Sequence, residues 1–110
     1  MIGLKLYMLQ RLSAMVMAPL VLGHIAVMIY AIQGGLSAAE ILGRTKGSIV
    51  WALFYGTFAL AVSIHAAIGV RVILAETILK NRSALDGLTL AIGAGLAFMG
   101  LSAVYAVTAS

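Results

Sequence analysis

The sequence contains no cysteine, a single proline and only three acidic residues in 110. Without cysteine the chain itself has no means of forming a disulfide, a thiolate-bound metal site or the usual cysteine-held iron–sulfur cluster. Charged residues make up 9% of the chain and hydrophobic ones 64%. That leaves too little polar surface to keep a domain of this length in water, so a soluble globular enzyme is excluded and the bilayer becomes the natural solvent. The basic excess, with an isoelectric point near 9.9, would point to nucleic acid in a soluble protein. Here the cations fall mainly at the ends of apolar runs, where they anchor and orient a membrane protein, and no nucleic-acid partner is expected.

What is present in abundance is long apolar sequence. Crossing a hydrocarbon core of ~30 Å takes roughly 20 predominantly apolar residues in helical conformation. Leu12–Ile32, Gly47–Val70 and Leu88–Ser110 meet that length without one charged residue. The expectation is an all-α integral membrane fold, a single membrane-anchor domain over residues 1–110, with transmembrane helices at about 7–33, 47–79 and 86–108. Short polar connections near Gln33–Lys46 and Arg71–Gly87 join them, and no stretch is left for a soluble catalytic domain. Lys5 and Arg11 ahead of an apolar run resemble a secretory signal, but the run is too long for one and Gly34, Gly35 and Ser37 make a weak cleavage site, so a retained helix is expected. Lys5, Arg11, Arg71, Lys80 and Arg82 lie on one side of the membrane, and Arg44 and Lys46, beside Glu40, on the other. The positive-inside rule then puts the N-terminus in the cytoplasm.

Helices in lipid associate through close packing and polar contacts, because apolar burial no longer drives them together. Small residues suited to close approach are Ala14 and Ala18 on the first span, Ala66 and Gly69 on the second, and Gly93, Gly95, Ala97 and Gly100 on the third. They serve either the packing of these three helices on one another or a partner subunit that completes a larger intersubunit bundle. Pro19 calls for a kink, or for a neighbour that satisfies the backbone group it frees.

Ionisable groups at membrane depth are costly and face a partner, a cavity or a cofactor. Both histidines, His24 and His65, fall inside predicted spans. A lone histidine at that depth is often only a hydrogen-bonding packer. Two on antiparallel neighbouring helices favour ligation, and imidazole is a common axial ligand of haem iron. Gly69 lies one turn beyond His65, about 40° round the helix, where it leaves room for a planar group; Arg71 lies ~9 Å and Glu76 ~16 Å further toward the cytoplasm. His24 falls roughly 18 Å and His65 about 8 Å from the cytoplasmic ends of their spans, so the two are expected at different levels. Each then needs a second axial ligand from a partner. Tyr7, Arg11 and Ser13 form a possible polar pocket at the cytoplasmic boundary, although Arg11 read alone is also an ordinary membrane anchor. Tyr, Ser and Glu side chains supply the hydrogen bonds and protons that a quinone needs.

His65-Ala-Ala-Ile-Gly69-Val-Arg71, followed by Glu76, resembles the second-helix signature of the succinate dehydrogenase and fumarate reductase membrane anchors: His, three residues, Gly, one residue, Arg, then an acid. Gln10-Arg11-Leu12-Ser13 resembles the Arg-x-Ser that opens the first helix of the cytochrome b556 (C-type) subunit. The likeness covers essentially the whole chain. It departs from the family pattern at Gln10 (usually His), Ala14 (usually Gly) and Glu76 (usually Asp), and Thr77 stands where D-type subunits have Tyr, which favours the C-type. The resemblance implies haem b, one or two per complex, with His65 and His24 as axial ligands and Arg71 near a propionate. It also implies a quinone site built from Arg11, Ser13, Tyr7 and Glu76. The implied partners are a second membrane anchor subunit supplying an axial His, an iron–sulfur subunit, a flavoprotein subunit that holds the dicarboxylate chemistry, and membrane lipid. The implied place is the inner (cytoplasmic) membrane, multi-pass, as a subunit of an oxidoreductase complex. Two competitors stand beside it. One is a small membrane transporter subunit, disfavoured because Glu76 lies at a helix end and the other spans hold no acid; the other is a haem-free structural anchor.

Overall fold

A computed structural model describes residues 2–109. They form four helices: α1 (Ile2–Gly34), α2 (Ala38–Thr45), α3 (Ile49–Thr77) and α4 (Arg82–Thr108). Helices α1, α3 and α4 are each long and apolar enough to cross a membrane, and no strand occurs among the described residues. The chain is therefore an all-α, multi-pass membrane protein. The long helices overrun the apolar stretches: α1 starts at Ile2 rather than near residue 7, and α4 at Arg82 rather than near 86. A charged side chain does not stop a helix, since its aliphatic stem lets the charge reach the headgroup layer while the backbone stays helical. What starts α4 is Asn81, whose side-chain oxygen accepts the Ala84 amide at 3.2 Å.

The connection after α1 is structured, which hydropathy alone did not indicate. Gly35 turns the chain at φ +116°, and a β-carbon there would collide with the Glu40 carboxylate. Ser37 then caps α2, accepting the Glu40 amide at 3.2 Å while its hydroxyl donates to Glu40 Oε1 at 2.7 Å. This Ser-x-x-Glu arrangement is a variant of the capping box. At the far end, Thr45 Oγ1 donates to the Val107 carbonyl at 2.7 Å and the Gly47 amide to the Thr108 carbonyl at 2.6 Å. Those carbonyls belong to the last turn of α4, which would otherwise lack partners, so the α2–α3 link closes the end of α4.

Helix α3 is central and packs on both α4 and α1. Its seam with α4 is made of small residues. A β-carbon at Gly100 would sit 3.0 Å from Ala59 Cβ, and one at Gly93 3.4 Å from Ala67 Cβ. Ala59, Ser63 and Ala67 recur every fourth residue and so share one face of α3; Gly93 and Gly100, seven apart, share one face of α4. Ser63, buried between the two contacts, donates to the Ala59 carbonyl at 2.7 Å and leaves no polar atom stranded. Gly95 faces open space, so it takes no part in this seam. Among the described residues no large side chain is fully buried, and apolar ones such as Leu22 and Leu90 point outward on every span.

Candidate functional site

The α1–α3 seam is where polar groups gather. Ser13 is 6% exposed, and its Oγ donates to the Gln10 carbonyl at 2.9 Å while lying 3.3 Å from Nδ1 of His65. A hydroxyl has one hydrogen. With that hydrogen directed to Gln10, the serine oxygen can only accept from His65, so the proton of a neutral imidazole is assigned to Nδ1. The lone pair then falls on Nε2, which has no hydrogen-bond partner among the described residues. The Gln10 side chain of α1 lies over Gly69 of α3, its amide nitrogen 3.7 Å from where a β-carbon would stand, an ordinary van der Waals distance. The space over Gly69 is thus occupied by Gln10 rather than left clear for a planar group.

His65 lines an open cleft of about 410 Å³ together with Gln10, Arg11, Ala14, Met15 and Ala18. Ala14 and Ala18, one turn apart, keep one wall low, and Arg11 stands toward the N-terminal end. A second cleft, about 340 Å³, opens nearer the N-terminal end of α1 and is lined by Tyr7, Gln10, Arg71 and Glu76 among others. Gln10 borders both clefts, and its Oε1 is buried without a hydrogen-bond partner.

Arg71 does not pair with Glu76. Its Nη1 contacts Asp86 Oδ1 of α4 at 2.6 Å and donates to Thr89 Oγ1 at 3.4 Å. The arginine side chain is 12% exposed and the aspartate 43%, so the pair is half-sheltered and ties α3 to α4. Glu76 stays exposed at the edge of the second cleft. The guanidinium of Arg11 lies 5.9 Å from the ring centre of Tyr7, a cation–π distance.

The residues singled out in the sequence are therefore regrouped. Ser13 joins His65, Arg11 borders the histidine cleft, and Tyr7 and Glu76 share a cleft with Arg71. Tyr7, Arg11 and Ser13 do not line one common pocket. His24 lies apart, its ring 5.1 Å from that of Phe58 and 6.3 Å, edge-on, from that of Tyr55. Phe58 precedes His65 by seven residues, or ~11 Å of helix rise, so the two histidines stand at different levels of the seam. Two contributors were not anticipated. Asp86 follows Arg71 by fifteen positions across a turn, and only its charge pointed to it. In the sequence Gln10 is only a departure from a pattern; in the structure it stands between two clefts.

A three-span bundle that offers one orientated imidazole, with a guanidinium, a phenol and a carboxylate in flanking clefts, has the makings of a membrane subunit serving a larger redox assembly. The chain belongs to the succinate dehydrogenase/fumarate reductase transmembrane subunit family, whose model matches residues 1–102. It is thus a membrane subunit of that class, and the transporter alternative falls away. No curated protein and no solved structure matches the chain.

Proposed function

We propose that the chain is the haem-b-binding, quinone-reactive C-type anchor of a succinate:quinone oxidoreductase in the cytoplasmic membrane, its N-terminus on the cytoplasmic side. The observation that carries this reading is the Ser13–His65 contact. Metal-bound histidines characteristically donate their second nitrogen to an oxygen, which fixes the ring and makes the free nitrogen a better ligand. Here Ser13 is that oxygen, and Nε2 is left to face an iron. The residues fit the group. The cleft beside His65 has low alanine walls, and Arg11 borders it as a cation for carboxylate substituents. Arg71, expected in that role, is engaged by Asp86. Haem b, when bound, would supply reversible one-electron transfer; the second axial imidazole would come from the partner anchor subunit. We centre the assignment on His65, since the ring of His24 is held by Phe58 and Tyr55 with no oxygen at hydrogen-bonding distance among the described residues.

The cleft of Tyr7, Gln10, Arg71 and Glu76 is the better candidate for the quinone. Its volume of about 340 Å³ falls within the range of small-molecule sites, roughly 300–1,000 Å³. The Tyr7 hydroxyl and the Gln10 amide are suited to hydrogen-bonding quinone oxygens, and exposed Glu76 to relaying protons from the aqueous edge. Reduction of the quinone takes two electrons, delivered through the iron–sulfur subunit from the flavoprotein, and two protons. Arg11, on the neighbouring cleft, and Ser13, at hydrogen-bonding distance from His65, then belong with the histidine more than with the quinone.

The test is a reduced-minus-oxidised spectrum of the intact complex, with pyridine haemochrome quantitation per copy of this chain. One b haem per copy is expected. Two would bring in His24 as a further ligand, and none would reduce the chain to a haem-free anchor.

A further inference from the structure

The opposite end of the α1–α3 seam carries a cluster that the redox reading does not use. Arg44 of α2 lies half-buried against α1, its Nη2 donating to the Gly35 carbonyl at 3.2 Å and its guanidinium 5.3 Å from the ring centre of Tyr30. It has no carboxylate partner among the described residues; the nearby Glu40 is taken up by Ser37. With Tyr30, Val27 and Trp51, Arg44 lines a cleft of about 430 Å³. A second, almost wholly apolar cleft of about 280 Å³, lined by Gly23, Val27, Val50, Trp51 and Phe54, shares Val27 and Trp51 with the first. Sharing those two residues, they follow one another along the α1–α3 seam as a groove. Along α1 it runs from Tyr30 to Gly23, and along α3 from Val50 to Phe54, so it descends from the helix ends toward the middle of the membrane. Seven residues of helix give it ~10 Å of depth.

We infer that this groove is a binding site for an anionic phospholipid, with the headgroup phosphate at Arg44 and one acyl chain lying along Val27, Trp51 and Phe54. Three features select this occupant. The guanidinium retains donors that match phosphate oxygens. Tyr30 and Trp51 are the amphipathic aromatic residues that settle at headgroup level. The groove below them is apolar and runs along the helices, as an acyl chain does. A transmembrane helix from a partner would match the apolar part but leave the cation at its mouth without an anion. The inference does not depend on haem or quinone.

The experiment uses the intact complex in nanodiscs containing either phosphatidylglycerol or phosphatidylcholine with a photoactivatable group on the acyl chain, followed by peptide mapping. Preferential labelling by the phosphatidylglycerol analogue is expected on the segments around Gly23–Val27 and Val50–Phe54. Arg44→Gln should reduce that preference roughly fivefold, the effect of one cation near an anionic surface, and Arg44→Lys should largely restore it. Val27→Trp, which fills the groove and leaves Arg44 in place, should reduce labelling by both lipids and stands in if Arg44→Gln prevents assembly. Equal labelling by the two lipids, labelling indifferent to Arg44 and Val27, or no labelling because a partner helix covers the groove would each overturn the inference.

Discussion

The two seams of α3 are built on opposite plans. Against α4 it presents Ala59, Ser63 and Ala67 to Gly93 and Gly100, with contacts so close that a single added β-carbon at Gly100 would lie 3.0 Å from its neighbour. The ends of this seam are fastened, by Arg71–Asp86 at one side of the membrane and by Thr45 and Gly47 on the α4 carbonyls at the other. Against α1, α3 leaves open clefts lined by His65, Tyr7, Gln10 and Arg11, while His24 stands on the same seam against the ring of Phe58. The contrast separates scaffold from function within one three-helix unit. Small residues at close contact make a tightly packed pair, and the third helix, held more loosely, leaves the space beside which the polar groups stand.

Substitutions on the two seams should therefore fail in different ways. The largest effect is expected from Gly100→Leu. Overpacking a filled seam costs about 1–3 kcal/mol, and the complex should lose assembly and thermal stability, read as a lower melting temperature. The same change at Gly95, which faces open space, should leave the α3–α4 pair intact. Ser13→Ala acts on the loose seam. It removes the acceptor for His65 Nδ1 without altering the fold, and loss of such an outer contact typically costs 10–100-fold in metal affinity. Haem retention on dilution should fall by that factor, and the midpoint potential should move, while assembly is unchanged. Asp86→Asn leaves sheltered Arg71 with Thr89 alone; with the aspartate 43% exposed, a loss of about 1 kcal/mol is expected. Glu76→Gln, by contrast, should leave thermal stability alone and slow quinone reduction, measurable as steady-state turnover with a soluble quinone.

Much of this organisation is legible in the sequence. Three uncharged apolar runs of helix-spanning length dictate three spans, because lipid leaves the backbone no other way to satisfy itself. The small residues of α4 read as a packing surface from the sequence, and the spacing separates Gly93, Ala97 and Gly100, which return to one face, from Gly95, which does not. Helix α2 is hidden from hydropathy, because eight residues of mixed polarity read as a loop, yet Ser37-Ala-Ala-Glu40 carries a capping signature. The pairing of Ser13 with His65 lay beyond sequence reasoning. The two are 52 positions apart, and bringing them level depends on how far α1 slides along α3, which hydropathy does not fix. Arg71 illustrates the same limit. Its own-helix neighbour Glu76 was the evident acid, but the connection after α3 folds Asp86 back onto it.

The central claim is that the imidazole of His65, orientated by Ser13, holds a haem at the loose seam. The most direct measurement is the reduced-minus-oxidised spectrum of the purified complex carrying His65→Ala. Because the α3–α4 seam is untouched, the complex should still assemble, and the b-type absorbance assigned to this site should be absent. An assembled complex with an unchanged b-type spectrum would contradict the account and leave His65 as a packing residue.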